Sequence, residues 1–474
     1  MKKKSIKINF IFNTIKTIMI YVFPIISFPY ISRVLGVEGV GCFQYSTSVI
    51  SYFVLFSSLG INTYAIREGT KLRNDKVKFS IFVKELFAIN ITTTAIAYLV
   101  LAICLLVGAF EGKQNVILIS SLAIIGNTIG FDWVFQAMED YVYISIRSVL
   151  LQLVSFIAML LLVRTEKDVL IYTFLYVLAN RGHCFFNLYN LPKYVDFKAK
   201  GKLIIKRHIK PILIIFGVTL STSIYVNMDV VMLGILCDDY QVGLYSVAVK
   251  INKIVKDIIV SISVVILPQL VIYLSQGDKK KYQQLFKKGA DLNMLLSIAS
   301  AVGLFIMSKP IIVLFSGEEF GAAVVAGKIL AIRLVFSALD NIFYNQVLIP
   351  AGKEKESCVG TILGAVSNLA LNLLLIPIFK VNGAAVATVL SECIVFIFFI
   401  IITRKIIDLK YVLADSYKYV IAATIMGCVI LFGMRFVDSM ILQVIFLIPL
   451  GAIVYFLVLA IINRDVLLGI LKKK

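Results

Sequence analysis

The chain is a succession of apolar runs of about the length that crosses a bilayer, separated by short polar segments. A spanning helix needs roughly 20 mainly apolar residues. Fourteen such runs can be placed, at 10–32, 41–63, 86–108, 116–136, 145–163, 169–190, 211–235, 243–272, 290–308, 325–346, 357–378, 382–402, 419–436 and 440–462. Hydrocarbon offers no water to backbone N–H and C=O groups, so each run is expected to bond internally as a helix. The pattern predicts an all-α polytopic membrane protein with 14 transmembrane helices. The run 243–272 is long enough to tilt or break, and Pro268 lies near its end.

Composition excludes the main alternatives. Of the 474 residues, 60% are hydrophobic and 16% charged, and mean hydropathy is +0.95. A soluble domain is about half apolar and about a quarter charged, so a soluble enzyme and a disordered chain are both excluded. Seven cysteines (Cys42, Cys104, Cys184, Cys237, Cys358, Cys393, Cys428) stand singly, as small core residues do. Two histidines and no Cys/His cluster argue against zinc or haem. There is no P-loop to bind ATP. The longest inner loop, 64–85, and the longest outer loop, 309–324, leave no room for a soluble catalytic or nucleotide-binding domain.

The net charge of +20 would suggest nucleic acid in a soluble protein. Here its placement sets topology. With the N-terminus in the cytoplasm, inner segments carry 32 Lys/Arg and outer loops 6. This asymmetry predicts an even number of crossings with both termini cytoplasmic. The opening MKKKSIKINF leads into a long run with no small-residue cleavage site, and reads as a retained helix rather than a leader peptide.

An internal repeat adds organisation. VLGVEGVGCF (34–43) and MLGILCDDYQVGLY (232–245) both run Leu-Gly, acidic loop, Val-Gly-x-aromatic, at the turn between two spans. The copies lie six helices apart, an even shift that keeps orientation. They predict two pseudo-symmetric six-helix bundles, 1–200 and 201–403, followed by two extra helices and a basic tail in 404–474. The basic stretch 191–210, bounded by Pro192 and Pro211, would link the bundles.

The segment FPYISRVLGVEGVGCFQYSTSVISYFVLFSSLGINTYAIRE (28–68) resembles the opening of Wzx-type polysaccharide flippases. FDWVFQAMEDY (131–141), NMDVVMLG (227–234), VGLYSVAVKI (242–251) and NGAAVATVLSE (382–392) are similar to later segments of that family, in the same order. These flippases share a superfamily with multidrug-and-toxin extruders and lipid II flippases. The resemblance covers nearly the whole chain. It implies two bundles around a central cavity in a bacterial cytoplasmic membrane. It further implies undecaprenyl-diphosphate-linked oligosaccharide as substrate, alternating access, and no cofactor beyond H⁺ or Na⁺ coupling. Membrane lipids and a polysaccharide polymerase or other pathway proteins are the implied partners, with no nucleic acid.

Ionisable residues inside spans are costly and are candidate functional groups by default. Lys250, Lys253 and Lys256 follow at steps of three in the eighth run, with Asp257 placed i,i+4 from Lys253. That stripe, with Lys16 in the first run and Arg333 in the tenth, is expected to face the cavity and offset a diphosphate. Snorkelling to the interface is the alternative, above all for Lys250 and Lys16. Asp229, Asp257, Asp340 and Glu392 are expected to balance these cations or carry a coupling ion. Arg333 and Asp340 share one helix face near Asn341 and Asn345, while Glu392 has no obvious partner on its own helix. Arg67 and Glu68 are read as a cytoplasmic gate or fold contact, Arg33 as a rim anchor, and Arg181 and His183 as residues near the cytoplasmic mouth. The second run is rich in hydroxyls and amides: Gln44, Ser46, Thr47, Ser48, Ser51, Ser57, Ser58 and Asn62. They are expected to line water or to permit tight helix packing.

Three other functions compete with a flippase. A multidrug antiporter for cations would favour cavity acids, which the basic spans disfavour. A lipid II flippase shares the mechanism, but the opening segment favours the polysaccharide type. A membrane polymerase or glycosyltransferase would need a substantial outer loop with catalytic residues, and the outer loops here are short and free of histidine.

Overall fold

The computed structural model describes residues 6–462, apart from 405, 409–411 and 413. The basic ends of the chain, 1–5 and 463–474, lie outside the described residues. Among the described residues all regular structure is helical. Twelve helical segments are long and apolar enough to cross a membrane, which makes this a multi-pass membrane protein.

Two compact units divide the chain, Met1–Ser223 and Ile224–Lys474. The first contains α1 (Ile6–Ser58), α2 (Ile61–Leu72), α3 (Lys76–Leu106), α4 (Gln114–Thr128), α5 (Asp132–Ala137), α6 (Tyr141–Leu162), α7 (Val169–Arg181), α8 (His183–Asn190) and the start of α9 (Lys206–Leu236). The second takes the rest of α9, then α10 (Asp239–Ser275), α11 (Lys279–Ser316), α12 (Val324–Asn341), α13 (Glu354–Thr403), α14 (Ser416–Gly433) and α15 (Ile448–Ile462). A π-helical turn, Ile342–Leu348, extends α12.

Two of the twelve segments are long enough for two crossings. The segment containing α1 is 62 residues and α13 is 50. Helix α1 is interrupted at Gly36, whose φ of 65° is left-handed, a conformation glycine adopts without a Cβ clash. Helix α13 is interrupted at Lys380, with φ 51°. Both interruptions fall in turns expected from the sequence, between 10–32 and 41–63 and between 357–378 and 382–402. The turn of the second repeat copy falls between α9 and α10, where Asp238 Oδ1 accepts from the Gln241 amide at 2.8 Å.

Other boundaries differ from expectation. The inner loop 64–85 is almost wholly helical: α2 and α3 are separated by a turn in which Asp75 Oδ1 accepts from the amides of Val77 and Lys78. The loop 273–289 is likewise mostly the start of α11, capped by Asp278 on the Lys281 amide at 3.0 Å. Hydropathy marks where a helix leaves the bilayer, whereas caps mark where it ends. The expected helix 116–136 is split at Phe131 (φ 45°), which separates α4 from α5.

The core of unit 1 is an aromatic cluster of Phe79, Phe82, Trp133, Phe135 and Tyr194. Unit 2 packs Phe286, Met294, Phe343, Tyr419 and Tyr455 into one core. Helix α15 is pinned to α11 there by the Tyr455 hydroxyl, which donates to the Leu295 carbonyl at 2.8 Å.

The stretch expected as a linker is held against unit 1. Glu85 of α3 is fully buried. It accepts from the Ile204 amide at 2.6 Å and from Arg207 Nη2 at 2.6 Å. His208 bridges the Glu85 carboxylate and the Tyr64 hydroxyl, each at 2.8 Å. Glu85→Ala strands these donors. It is expected to lower stability by roughly 3 kcal/mol, with half-exposed Arg207 contributing least. In detergent-solubilised protein, trypsin should then cut several-fold faster at Lys206–Lys210. An unchanged cleavage rate would show that Glu85 does not hold the linker.

Candidate functional site

Unit 2 gathers four ionisable side chains from three helices. Glu392, in the second half of α13, is 1% exposed. Its Oε1 accepts from Arg333 Nε of α12 at 2.7 Å and lies 3.5 Å from Lys256 Nζ of α10. Among the described residues its Oε2 is buried without a hydrogen-bond partner, as is Asp340 Oδ1 further along α12. Asp340 feels the charges of Glu392, Lys256 and Arg333. A buried carboxylate is tolerated when cations and donors surround it, and here one acid holds two cations. The arrangement answers why Glu392 has no partner on its own helix: its partners come from neighbouring helices.

The lysine stripe divides. Lys256 turns to Glu392, while Lys253 is exposed and pairs with Asp257 at 2.5 Å, one helical turn on. Lys250 is half-buried on the same helix. Lys253 thus pairs within α10, and Lys256 joins the interhelical cluster.

Asp229 occupies a second, differently built site in unit 2. It is buried. Its Oδ1 accepts from Asn372 Nδ2 at 2.6 Å, and its Oδ2 from Thr388 Oγ1 at 2.8 Å and the Tyr245 hydroxyl at 2.5 Å. Asn372 also donates to Asn368 Oδ1 at 3.0 Å. Every partner is neutral. Three donors thus converge on one carboxylate, and hydrogen bonds of this kind favour its charged form. A third polar group, neutral throughout, joins Asn341, Asn293 and Gln346 around the Ser263 hydroxyl. Asn345 donates to Asn341 Oδ1 at 2.7 Å.

In unit 1 the expected residues are spread out. Arg67 and Lys71 both pair with Glu68, at 3.0 and 2.9 Å, on the exposed face of α2. Arg33 Nη1 donates to the Pro29 carbonyl at 2.6 Å. Lys16 is half-buried and feels the charges of Asp132 and Arg147. Those two residues belong to a network that sequence reasoning missed. Asp132 pairs with Arg147 and with His183 Nε2, the latter at 2.6 Å, and accepts from Asn187 Nδ2 at 3.1 Å. The available signal was an acid and a base in apolar surroundings, Asp132 in FDWVFQ and Arg147 in YISIRSVLL.

Two cavities differ in chemistry. One in unit 2, about 510 Å³, is lined almost wholly by apolar side chains of α10, α11, α14 and α15, among them Ile254, Leu304, Met426 and Phe456. It offers nothing to a charged headgroup. The other, about 450 Å³ in unit 1, is lined by Ser51, Ser58 and Asn62 together with Asn127, Asn180 and Arg181. Of the polar residues of the second run, Thr47, Ser51, Ser58 and Asn62 line this cavity, whereas Ser46, Ser48 and Ser57 are buried and do not.

Comparison with known proteins is consistent across sequence and fold. A protein of Escherichia coli (strain K12) named as an O-antigen transporter is 25% identical over 361 residues, 75% of this chain and 86% of that protein. A protein of Shigella dysenteriae named likewise is 21% identical over 350 residues, 71% of this chain and 84% of that one. Among solved structures, the lipid II flippase MurJ in an inward closed conformation superposes with a TM-score of 0.78 at 17% identity, over 97% of this chain and 100% of that one. An inward-facing multidrug resistance transporter of the MATE family gives 0.61 at 13% identity, over 84% and 97%. These two likenesses establish a shared transporter fold. Residues 6–276 match the family described as polysaccharide biosynthesis protein, and the chain belongs to that family.

Proposed function

We propose that this chain carries an undecaprenyl-diphosphate-linked oligosaccharide from the cytoplasmic to the outer leaflet of a bacterial cytoplasmic membrane by alternating access. In this reading it crosses the membrane fourteen times with both termini cytoplasmic, as two six-helix bundles, 1–200 and 201–403, plus two helices in 404–474. It acts as a transporter and not as an enzyme, alongside the polymerase that consumes its product. The curated relatives named as O-antigen transporters support the substrate class.

The observation that carries the proposal is the Lys256–Glu392–Arg333 cluster. Moving a diphosphate through hydrocarbon demands cations held ready in the protein. Arg333 and Lys256 are such cations, held at Glu392 until a stronger anion competes for them. Asp229 is the coupling residue in this reading, with H⁺ or Na⁺ displacing one of the neutral donors that hold its carboxylate. The membrane potential adds about 2.3 kcal/mol per charge per 100 mV. A multidrug antiporter of the same fold is the second reading, favoured by the acid nest at Asp229 and opposed by the paired cations. A lipid II flippase would use the same machinery.

The test is leaflet exchange in proteoliposomes, following a fluorescent undecaprenyl-diphosphate oligosaccharide with a membrane-impermeant quencher. Wild type should exchange the lipid, and Lys256→Ala should reduce the rate at least tenfold while inserting normally. Absent exchange together with cation-driven efflux of a small dye would assign the chain to the antiporters. Normal exchange by a well-inserted Lys256→Ala would remove that lysine from the headgroup site.

A further inference from the structure

The 450 Å³ cavity of unit 1 shares no residue with the charged cluster or the Asp229 nest. Its chemistry is that of a different ligand. Along α1, Ser51 and Ser58 donate back to their own helix, to the carbonyls of Ser48 at 2.6 Å and Leu55 at 3.1 Å. Their hydrogens are thereby committed, and the lone pairs remain for the cavity. On α4, two polar atoms are buried without a partner among the described residues, Ser120 Oγ and Asn127 Nδ2. Ser120 is 1% exposed. An unpaired buried polar group costs about 1–3 kcal/mol, and a hydrogen-bonding ligand in this cavity would relieve both.

The cavity has one cation among its lining residues, Arg181. Gly126 brings α4 hard against it: a Cβ at that glycine would lie 2.8 Å from Arg181 Cβ. Arg181 Nη1 donates to Asn127 Oδ1 at 3.2 Å, and it makes no ion pair among the described residues. The acid whose charge it feels is Asp132, and that carboxylate is already held by Arg147 and His183. Arg181 thus differs from Arg333: it faces a polar cavity with its charge uncompensated at contact distance.

Alternating acceptors and donors match a polyol. A planar guanidinium matches one carboxylate through two parallel hydrogen bonds. A diphosphate, with two charges on a compact group, would find a single cation here. The volume lies within the roughly 300–1,000 Å³ range of small-molecule sites. We propose that this cavity is a glycan subsite that selects a sugar bearing a single carboxylate, with Arg181 holding the carboxylate and the α1 and α4 side chains holding ring hydroxyls. It rests on the reading that the cargo is an oligosaccharide, and it adds which kind of sugar the cargo carries.

Calorimetric titration of the full-length protein in nanodiscs tests it without requiring transport. The probes are cellobiouronic acid, neutral cellobiose and inorganic pyrophosphate. Wild type should bind the acidic disaccharide at least tenfold more tightly than cellobiose, and pyrophosphate should not displace it. Arg181→Gln should abolish the preference and retain the weak cellobiose binding. Arg181→Lys should restore only a fraction of it, since charge returns without the fork. Ser120→Ala should weaken both sugars alike. Equal affinity for both sugars, absence of binding, or displacement by pyrophosphate would overturn the proposal. Sugar selectivity without leaflet exchange would instead refute the flippase reading and leave this site standing.

Discussion

Glu392→Ala is expected to cost about 3–5 kcal/mol of stability, because it leaves two cations in unit 2 without their common counter-charge. Glu392 is 2% exposed at the side chain, Arg333 17% and Lys256 29%, so solvent screening recovers little for Arg333. Lys256 can swing its longer stem toward water and loses less. The double variant Glu392→Leu with Arg333→Met should recover most of that loss, since apolar residues of similar volume replace a buried ion pair at little cost. Leaflet exchange should stay at least tenfold down in the double variant. Thermal unfolding of purified protein and quencher accessibility in proteoliposomes measure the two effects separately. A cluster serving stability alone would regain transport together with stability, and that result would end its role in headgroup binding.

The sequence revealed the crossings better than their ends. Apolar runs are long and their hydropathy is unmistakable, so the interruptions at Gly36 and Lys380 fall where polar residues separate one run from the next. The helical stretch Ile61–Leu72 was hidden because it is polar. It leaves the apolar pattern yet keeps its hydrogen bonds, with Gly60 at φ 77° redirecting the chain before it. No hydropathy rule distinguishes such a helix from a loop.

The candidate site was legible one helix at a time. Spacing within α10 shows that Lys253 reaches Asp257, and the structure contains that pair. Spacing cannot show that Lys256 reaches Glu392, 136 residues later. It also placed Arg333 and Asp340 on one face without showing that the Arg333 guanidinium meets an acid from α13. The same limit hid Glu85, which looks like an ordinary acid at the edge of a basic segment. Its role depends on His208 and Arg207 returning to it after more than a hundred residues. Charges inside spans can be enumerated from sequence, but which of them neutralise one another is decided by helix packing.

Asp229→Asn is the prediction with the largest consequence for energy coupling. The carboxylate accepts three hydrogen bonds, from Asn372, Thr388 and Tyr245. An amide at this position keeps the shape but turns one acceptor into a donor facing donors, at a cost of about 1–3 kcal/mol. Folding should survive that cost, whereas charge, and with it ion binding, is lost outright. In proteoliposomes with an imposed pH or sodium gradient, wild-type exchange should accelerate with one of the two. The Asn variant should respond to neither, with gradient-driven transport reduced at least tenfold. Thermal stability then identifies the ion. A bound cation stabilises the folded state by RT ln(1 + [L]/Kd), about 2.7 kcal/mol at a hundredfold excess over Kd. Sodium should therefore raise the unfolding temperature of wild type and leave the Asn variant unmoved if sodium is the ion. Sodium-insensitive stability with an intact response to the pH gradient would assign a proton. A gradient response retained by Asp229→Asn would place coupling elsewhere in the chain, with Glu392, whose Oε2 is buried and unpartnered, as the acid to test next.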